Sequence, residues 1–306
     1  MTNDSGRRCE VLVAGAYFAD LVFRGLAEPL RPGGEVFAAG FDLVPGGAYN
    51  AAMALHRLGR AVVWATDFGT DPFSAQVLAA ARREGLDERG FRHHPGAVRS
   101  VTAALSGPDG RTMISYQDAV DEQPLVPLVR AHRPRVLLLP QLRYDATALA
   151  ALRVARELGT LVVMDCQDVP VTLDSPGVRE TLTLVDVFAP NEVEALRLTG
   201  AATVDEALAE LGGLAGTVVV KRGAEGAAAV RDGKRQDRPA PSVDALDTTG
   251  AGDCFNAGLV HGLLAGRELT HCLALAVACG AIATTGPGSS AAPTADELSG
   301  WVGEFV

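Results

Sequence analysis

The sequence predicts an α/β protein: a mostly parallel central sheet with helices on both faces and a small β lid. Three observations predict it. Short apolar runs alternate with helical repeats along most of the 306 residues, and such alternation makes parallel strands joined by crossover helices. Hydrophobic residues make up 48 % of the chain, enough for a large core. Two segments, about 22–45 and 98–118, break the alternation with Gly, Pro and β-like pieces, and are expected to form the lid. No repeat, low-complexity tract or linker divides the chain, so residues 1–306 are expected to form a single domain.

The elements follow in order. Val11 to Ala16 is a short apolar run and reads as a buried strand. Ala51, Ala52, Leu55 and Leu58 recur at helical spacing, with Gly59 as the stop. Ala61–Ala65 is a strand, and Asp71–Glu84 a helix closed by Gly85. Within the first lid segment, Glu35-Val-Phe37 reads as β-like. In the second, Ser100–Leu105 and Thr112–Tyr116 flank the turn Pro108-Asp-Gly110, the pattern of a hairpin. Val136–Leu139 is a strand, Ala146–Leu158 a helix ended by Gly159, and Leu161–Met164 a strand with Asp165 at its end. Val185–Ala189 and Val218–Val220 are strands, with a helix from Glu192 between them. Three helical patterns finish the chain: Ala251–Leu264, Leu273–Thr284 and Ala295–Phe305. Ligands on such sheets bind outside the carboxyl ends of the strands.

Composition excludes several classes. A net charge of −10 lacks the basic footprint that a nucleic-acid partner requires. No apolar run is long enough for a membrane span. The polar start, Met1 to Arg8, lacks an apolar signal region, and a cytoplasmic protein is expected. Cys9, Cys166, Cys254, Cys272 and Cys279 lack metal-type spacing and read as buried free thiols. His93-His94 reads as a solvated loop pair rather than a metal pair.

The most specific motif is Asp247-Thr-Thr-Gly-Ala-Gly-Asp253, which opens an amphipathic helix carrying Phe255, Leu259 and Leu263. The first amides of a helix lack internal partners, and the helix dipole favours an anion there. Gly250, Ala251 and Gly252 therefore read as a cradle for a phosphoryl group, the small residues admitting the ligand to the backbone. Asp253, in the first turn, is expected to be held ionised by the dipole and to accept the proton of an attacking hydroxyl. By itself the motif is also compatible with a plain helix cap.

Here the residues resemble a known family. The motif is similar to the second signature of the ribokinase family, or PfkB-type carbohydrate kinases. The resemblance implies a ribokinase-like fold and ATP-dependent phosphorylation of a sugar-like hydroxyl, with Asp253 as catalytic base and Gly250, Ala251 and Gly252 as anion hole. It implies that Asp247 and Thr249 help hold a monovalent cation such as K+. Gly15-Ala-Tyr-Phe-Ala-Asp20 resembles the opening segment, whose acid, here Asp20, binds a vicinal diol through paired acceptors. Gly46-Gly47-Ala-Tyr-Asn50 resembles the Gly-Gly-x-x-Asn element that binds sugar hydroxyls. Asn191-Glu-Val-Glu194 resembles the Asn-x-x-Glu motif, with Asn191 toward ATP phosphates and Glu194 toward Mg2+ through water. Matching positions put Lys221, Gly223, Gly226 and Gly288 near ATP. Ala65–Asp71 matches a strand-end segment loosely, and its acids read as helix caps. Ser289-Ser-Ala-Ala departs from the cation-loop serine of ribokinases proper, so the K+ requirement stays open. Lids of the family often pair between subunits, which implies a homodimer through the lid.

Other classes lack their marks. An early Gly-x-Gly-x-x-Gly and a Gly-Lys-Ser/Thr triplet are both absent. A non-catalytic sugar-binding protein on the same fold would have no use for Asp253 beside Asn191 and Glu194. Among substrates, a sugar, a sugar acid, a phosphosugar and a nucleoside stay open. Arg99 and Arg111 on the lid are placed to swing toward a phosphosugar, and Tyr17, Phe18 and Tyr49 offer aromatic faces for a base.

Overall fold

The computed structural model describes residues 9–107, 110–167 and 170–305. Its large sheet has nine strands: β1 (Val11–Ala14), β4 (Val62–Phe68), β5 (Phe91–His93), β8 (Val136–Leu139), β9 (Leu161–Met164), β10 (Val187–Phe188), β11 (Thr217–Lys221), β12 (Ala227–Arg231) and β13 (Lys234–Arg238). Their spatial order is β13-β12-β11-β10-β9-β8-β1-β4-β5. From β5 to β11 every pairing is parallel, and β12 and β13 close one edge as an antiparallel pair. The second sheet has four strands, in the order β3 (Gly40–Gly47), β2 (Tyr17–Arg24), β6 (Ser100–Gly107) and β7 (Gly110–Gln117).

The continuous apolar runs found in the sequence are the parallel strands, buried on both faces. Period-two alternation divides them between two cores. Val11 and Val13 face one core, with α1 (Ala48–Arg57), α8 (Ala251–Leu264) and α9 (Leu269–Ala283). Leu12 and Ala14 face the other, with α3 (Leu125–His132), α4 (Ala146–Glu157), α5 (Val178–Leu182), α6 (Glu192–Thr199) and α7 (Val204–Gly212). The remaining helices are α2 (Pro72–Glu84) and α10 (Ala295–Phe305).

Helix boundaries follow local chemistry. The Asp71 carboxylate accepts from the Phe73 and Ser74 amides, Pro72 fits the first turn, and Gly85 closes α2 in the left-handed region. Asp145 caps α4 in the same way. Helix α9 is apolar all round and is buried accordingly.

Several expectations are corrected. Glu35-Val-Phe37 forms no strand; residues 25–39 are a connection between β2 and β3. The second sheet begins earlier than residue 22, because Tyr17–Arg24 pairs along its whole length with β3. Asp20, expected just beyond the first strand, is therefore a strand residue, paired in register with Val44 and Thr102. Helix α9 starts at Leu269, not Leu273. Of the loop acids near residue 70, Asp71 is a cap, but Asp67 pairs with Arg92 and His94. His94 is accordingly bonded rather than solvated, its Nε2 lying 2.7 Å from Asp67 Oδ1, and His93 stacks on Phe68. The hairpin turn at 108–109 and the side chain of Arg111 lie outside the described residues.

Candidate active site

A cavity of about 900 Å3 opens at the carboxyl ends of the parallel strands. Each strand delivers its next residues to it: Gly15 after β1, Thr66 and Asp67 at the end of β4, Gln141 after β8, Asp165 after β9, Asn191 after β10 and Lys221 at the end of β11. The second sheet roofs it. Alternate residues face inward: Phe18 and Asp20 from β2, Ser100, Thr102 and Ala104 from β6, Met113, Ser115 and Gln117 from β7. Such alternation is what a strand with one face over a ligand space requires.

Two helix N-termini meet on the cavity floor. Helix α1 begins after Gly47, and helix α8 after Gly250. Asn50 on the first donates from Nδ2 to Asp253 Oδ2 on the second at 3.1 Å, joining residues 203 positions apart. Ser289 Oγ in turn donates to Asn50 Oδ1 at 2.6 Å, which fixes the amide's orientation. Gly250 has a φ of 76°, a backbone conformation that disfavours any side chain, and a Cβ there would lie 2.8 Å from Asn50 Nδ2. Ala251 N–H is already directed to Thr248 O at 3.3 Å. The next first-turn amides, on Gly252 and Asp253, have no intrahelical partner by position, and both residues line the cavity.

Asp253 differs from the expectation of a carboxylate held ionised by the helix dipole. Its pKa is pushed up to about 7, first by burial, then by the nearby Asp165 and Asp20 charges. The Asn50 hydrogen bond and Lys221 oppose the rise. Desolvation outweighs the dipole.

Asp20 is buried on β2 and lines the cavity. Gly46 on β3 pairs with Phe18, diagonally across from Asp20, and a Cβ at that position would overlap the Asp20 carboxylate. Gly47 lines the cavity directly.

Asn191 and Glu194 form a reciprocal capping box. Glu194 N donates to Asn191 Oδ1 at 2.9 Å, and Asn191 N to Glu194 Oε2 at 2.8 Å. The cap alone accounts for their spacing, yet both also line the cavity. Burial and Asp165 raise the Glu194 pKa, with Lys221 opposing.

Lys221 and Gly223 line the cavity. Gly226 does not belong to its lining; a Cβ there would collide with Arg238 O, so that glycine serves the turn into β12. Gly288 donates its N–H to Asp247 Oδ2 at 2.8 Å. Asp247 Oδ1 accepts from both Thr249 N and Thr249 Oγ1, at 2.9 and 2.7 Å, so the buried Asp247 carboxylate ties two loops together behind α8.

Of the three aromatics near the site, Phe18 lines the cavity, whereas Tyr17 and Tyr49 are buried in the core. Arg99 is bonded to Asp118 and lies over Tyr116. The sequence reading assigned no role to Asp165, which receives Lys221 Nζ and Asn256 Nδ2 on one carboxylate oxygen. Two signals pointed to it: an acid at the carboxyl end of an apolar strand, and Asn256 three positions after Asp253 on the same helix.

A roofed cavity at the strand ends, with a helix N-terminus and a carboxylate on its floor, defines the class: a phosphotransferase of the α/β type acting on a small molecule. The family follows from comparison. The pfkB family carbohydrate kinase description matches residues 23–296, and the chain belongs to that family; it is a carbohydrate kinase. Its relatives include the ribokinase of Haemophilus influenzae, 27 % identical over 280 residues, covering 87 % of this chain and 90 % of that protein. The ATP-dependent ribose-1-phosphate kinase of Halopiger xanaduensis is 30 % identical, covering 85 % of this chain and 86 % of that one. Arabidopsis thaliana ribokinase, solved with ribose and ATP, matches with a TM-score of 0.80 at 22 % identity, covering 96 % of this chain and 98 % of that chain. The ribokinase-like fold is thereby established. Among the described residues, no helix is long and apolar enough to cross a membrane.

Proposed function

We propose that this carbohydrate kinase transfers the γ-phosphoryl group of ATP to a hydroxyl of a sugar or sugar-like polyol. The observation that carries the reading is the Asn50–Asp253 contact, which brings the polyol-binding helix and the base onto one cavity floor. Asp20 and Asn50, with Gly46 and Gly47 giving them room, hold the substrate hydroxyls. Asp253 accepts the proton of the attacking hydroxyl. A pKa of about 7 suits that task, since a base near the working pH is both available and strong enough. Gly250 and Gly252, which line the cavity, are assigned to the phosphoryl oxygens, where charge stabilisation is the main demand of this reaction; the Ala251 amide, directed to Thr248 O, shapes the turn between them.

Asn191, Lys221, Gly223, Gly226 and Gly288 are assigned to the nucleotide side, of which Asn191, Lys221 and Gly223 line the cavity. The residues fit Mg2+: Glu194 offers a carboxylate at the cavity wall, and among the described residues no cluster of three or more metal-ligating side chains competes. That matches an ion that keeps several waters and binds largely through substrate phosphates. Mg2+ would neutralise the phosphate charge. Asp247 and Thr249 supply hard oxygens suited to a monovalent cation such as K+, whose charge would lie behind the anion hole.

The chain is proposed to act as one domain in the cytoplasm, with the four-stranded sheet as a lid that excludes water from the reaction. Phe41, Leu43, Ile114 and Tyr116 are exposed on that sheet, which supports a homodimer through the lid. The experiment is an ADP-release screen with free sugars, sugar acids, phosphosugars and nucleosides. Sugar-dependent ADP release is expected; release with nucleosides alone would replace the sugar by a nucleoside acceptor.

A further inference from the structure

Asp165 is a buried acid whose charge helps raise the Asp253 pKa but which has no assigned contact with substrate or nucleotide. It follows β9, and its side chain is 9 % exposed. Oδ1 accepts from the Cys166 amide at 2.8 Å, which fixes the carboxylate against its own backbone. Oδ2 accepts from Asn256 Nδ2 at 2.6 Å and from Lys221 Nζ at 2.5 Å. The ammonium thus hangs between two elements of the site. On one side, Lys221 N donates to Pro190 O, and Lys221 bridges in parallel to Asn191. On the other, a Cβ built at Gly252 would lie 3.5 Å from Lys221 Nζ, so the ammonium borders the first turn of α8. An ammonium has three N–H donors, and Asp165 takes one.

We propose that Asp165, with Asn256 behind it, is a positioning residue that holds the Lys221 ammonium beside the Gly252 amide, where it meets the terminal phosphoryl group of the nucleotide. The proposal rests on the kinase reading above. A lysine side chain is long and rotatable, and a free one would lose much of its effect on a transferred group. Pinned at a short distance by a buried carboxylate, it presents a fixed positive charge where negative charge must be stabilised, with no reorganisation needed when the nucleotide arrives. The same pinning explains why a buried ion pair, which contributes little to stability by itself, sits at this place in the fold. Toward the nucleotide phosphate Asp165 acts through Lys221, so in nucleotide binding the two residues form one unit and their effects are not independent.

The test is calorimetric binding of MgATP and of MgADP to the wild type, Lys221→Met, Asp165→Asn and the double variant. MgADP lacks the group that Lys221 is proposed to meet, so the ratio of the two affinities isolates it. Loss of one charge-assisted contact predicts MgATP binding weakened about tenfold to a hundredfold in Lys221→Met, with MgADP binding changed far less. Asp165→Asn lowers the same ratio, and the double variant equals Lys221→Met rather than the product of the two effects. Multiplicative losses, or an unchanged ratio in Asp165→Asn, overturn the proposal. Should Asp165→Asn fail to fold, Asp165→Glu keeps the pair charged while displacing its oxygens; a lowered ratio with MgADP binding kept supports the proposal, and an unchanged ratio overturns it. A wild type that binds neither nucleotide would overturn the kinase reading itself, a result distinct from intact MgATP binding with insensitive variants.

Discussion

The pH dependence of phosphoryl transfer follows from the surroundings of Asp253. The carboxylate must be ionised to take the hydroxyl proton, and its pKa lies at about 7. The rate at limiting sugar should therefore rise through neutrality and level off above it. Below the midpoint it should fall tenfold per pH unit, to about a tenth of its plateau one unit down. Asn50 sharpens the test, because its amide donates to Asp253 Oδ2 at 3.1 Å and favours the ionised form. A hydrogen bond to a charged group contributes roughly 1.5–3 kcal/mol, and each pH unit is about 1.4 kcal/mol. Asn50→Ala should therefore move the midpoint upward by about one to two units, in addition to weakening sugar binding. The assay is coupled ADP release across about pH 5 to 9, with the profile at limiting sugar separated from that at saturation. A flat wild-type profile through neutrality, or a downward shift in Asn50→Ala, would refute the reasoning.

The same shift has a consequence for stability. A folded-state pKa raised from 3.8 to about 7 means that the folded protein binds more protons than the unfolded chain between those values. The contribution of Asp253 is thus most favourable below the unfolded pKa and is lost as pH rises through the folded one. Asp253→Asn should be more stable to unfolding than wild type at about pH 8, by roughly 2–4 kcal/mol, and show no such gain near about pH 4; thermal melts at both pH values decide it. Gly46→Ala should raise the KM for sugar more than that for ATP, because the new methyl displaces the Asp20 carboxylate; equal effects on both would contradict that placement. Asp71→Ala removes a buried carboxylate that accepts from the Phe73, Ser74 and Val98 amides. It should cost about 1–3 kcal/mol in denaturant unfolding, by loss of a cap and an orphaned amide.

Much of this architecture was legible because it rests on local rules. Apolar runs such as Val136–Leu139 and Leu161–Met164 have the boundaries expected of buried parallel strands. Asp71, Gly85 and Gly250 mark helix ends through chemistry that spans only a few residues. Long-range relations were not legible. Tyr17–Arg24 mixes apolar and polar residues and becomes a strand only because β3 and β6 flank it, so Asp20 was placed beyond a strand rather than within one. The helical pattern of α9 was found, but its start was missed, since Leu269 and Cys272 are explained only by packing against the neighbouring elements. For the site, the residues named from motifs divide: Asp20, Asn50, Asn191, Lys221 and Asp253 line the strand-end cavity, whereas Gly46, Gly226, Asp247, Ala251 and Gly288 lie outside its lining. Motif order did not join Asp165, just after β9, to Lys221 on β11 and Asn256 on α8, residues that meet only through the fold. Nor did it show that burial, with Asp165 and Asp20 nearby, raises the pKa of Asp253 against the effect of the helix terminus.

The central claim is that Asp253 deprotonates a sugar hydroxyl for attack on ATP. It is tested most directly by sugar-dependent ADP release in wild type and Asp253→Asn, both confirmed to be folded and to bind MgATP. The account predicts that the variant loses about a hundredfold to ten-thousandfold in turnover, the usual contribution of a positioned base, while nucleotide binding persists. Turnover that continues unchanged in Asp253→Asn would contradict it.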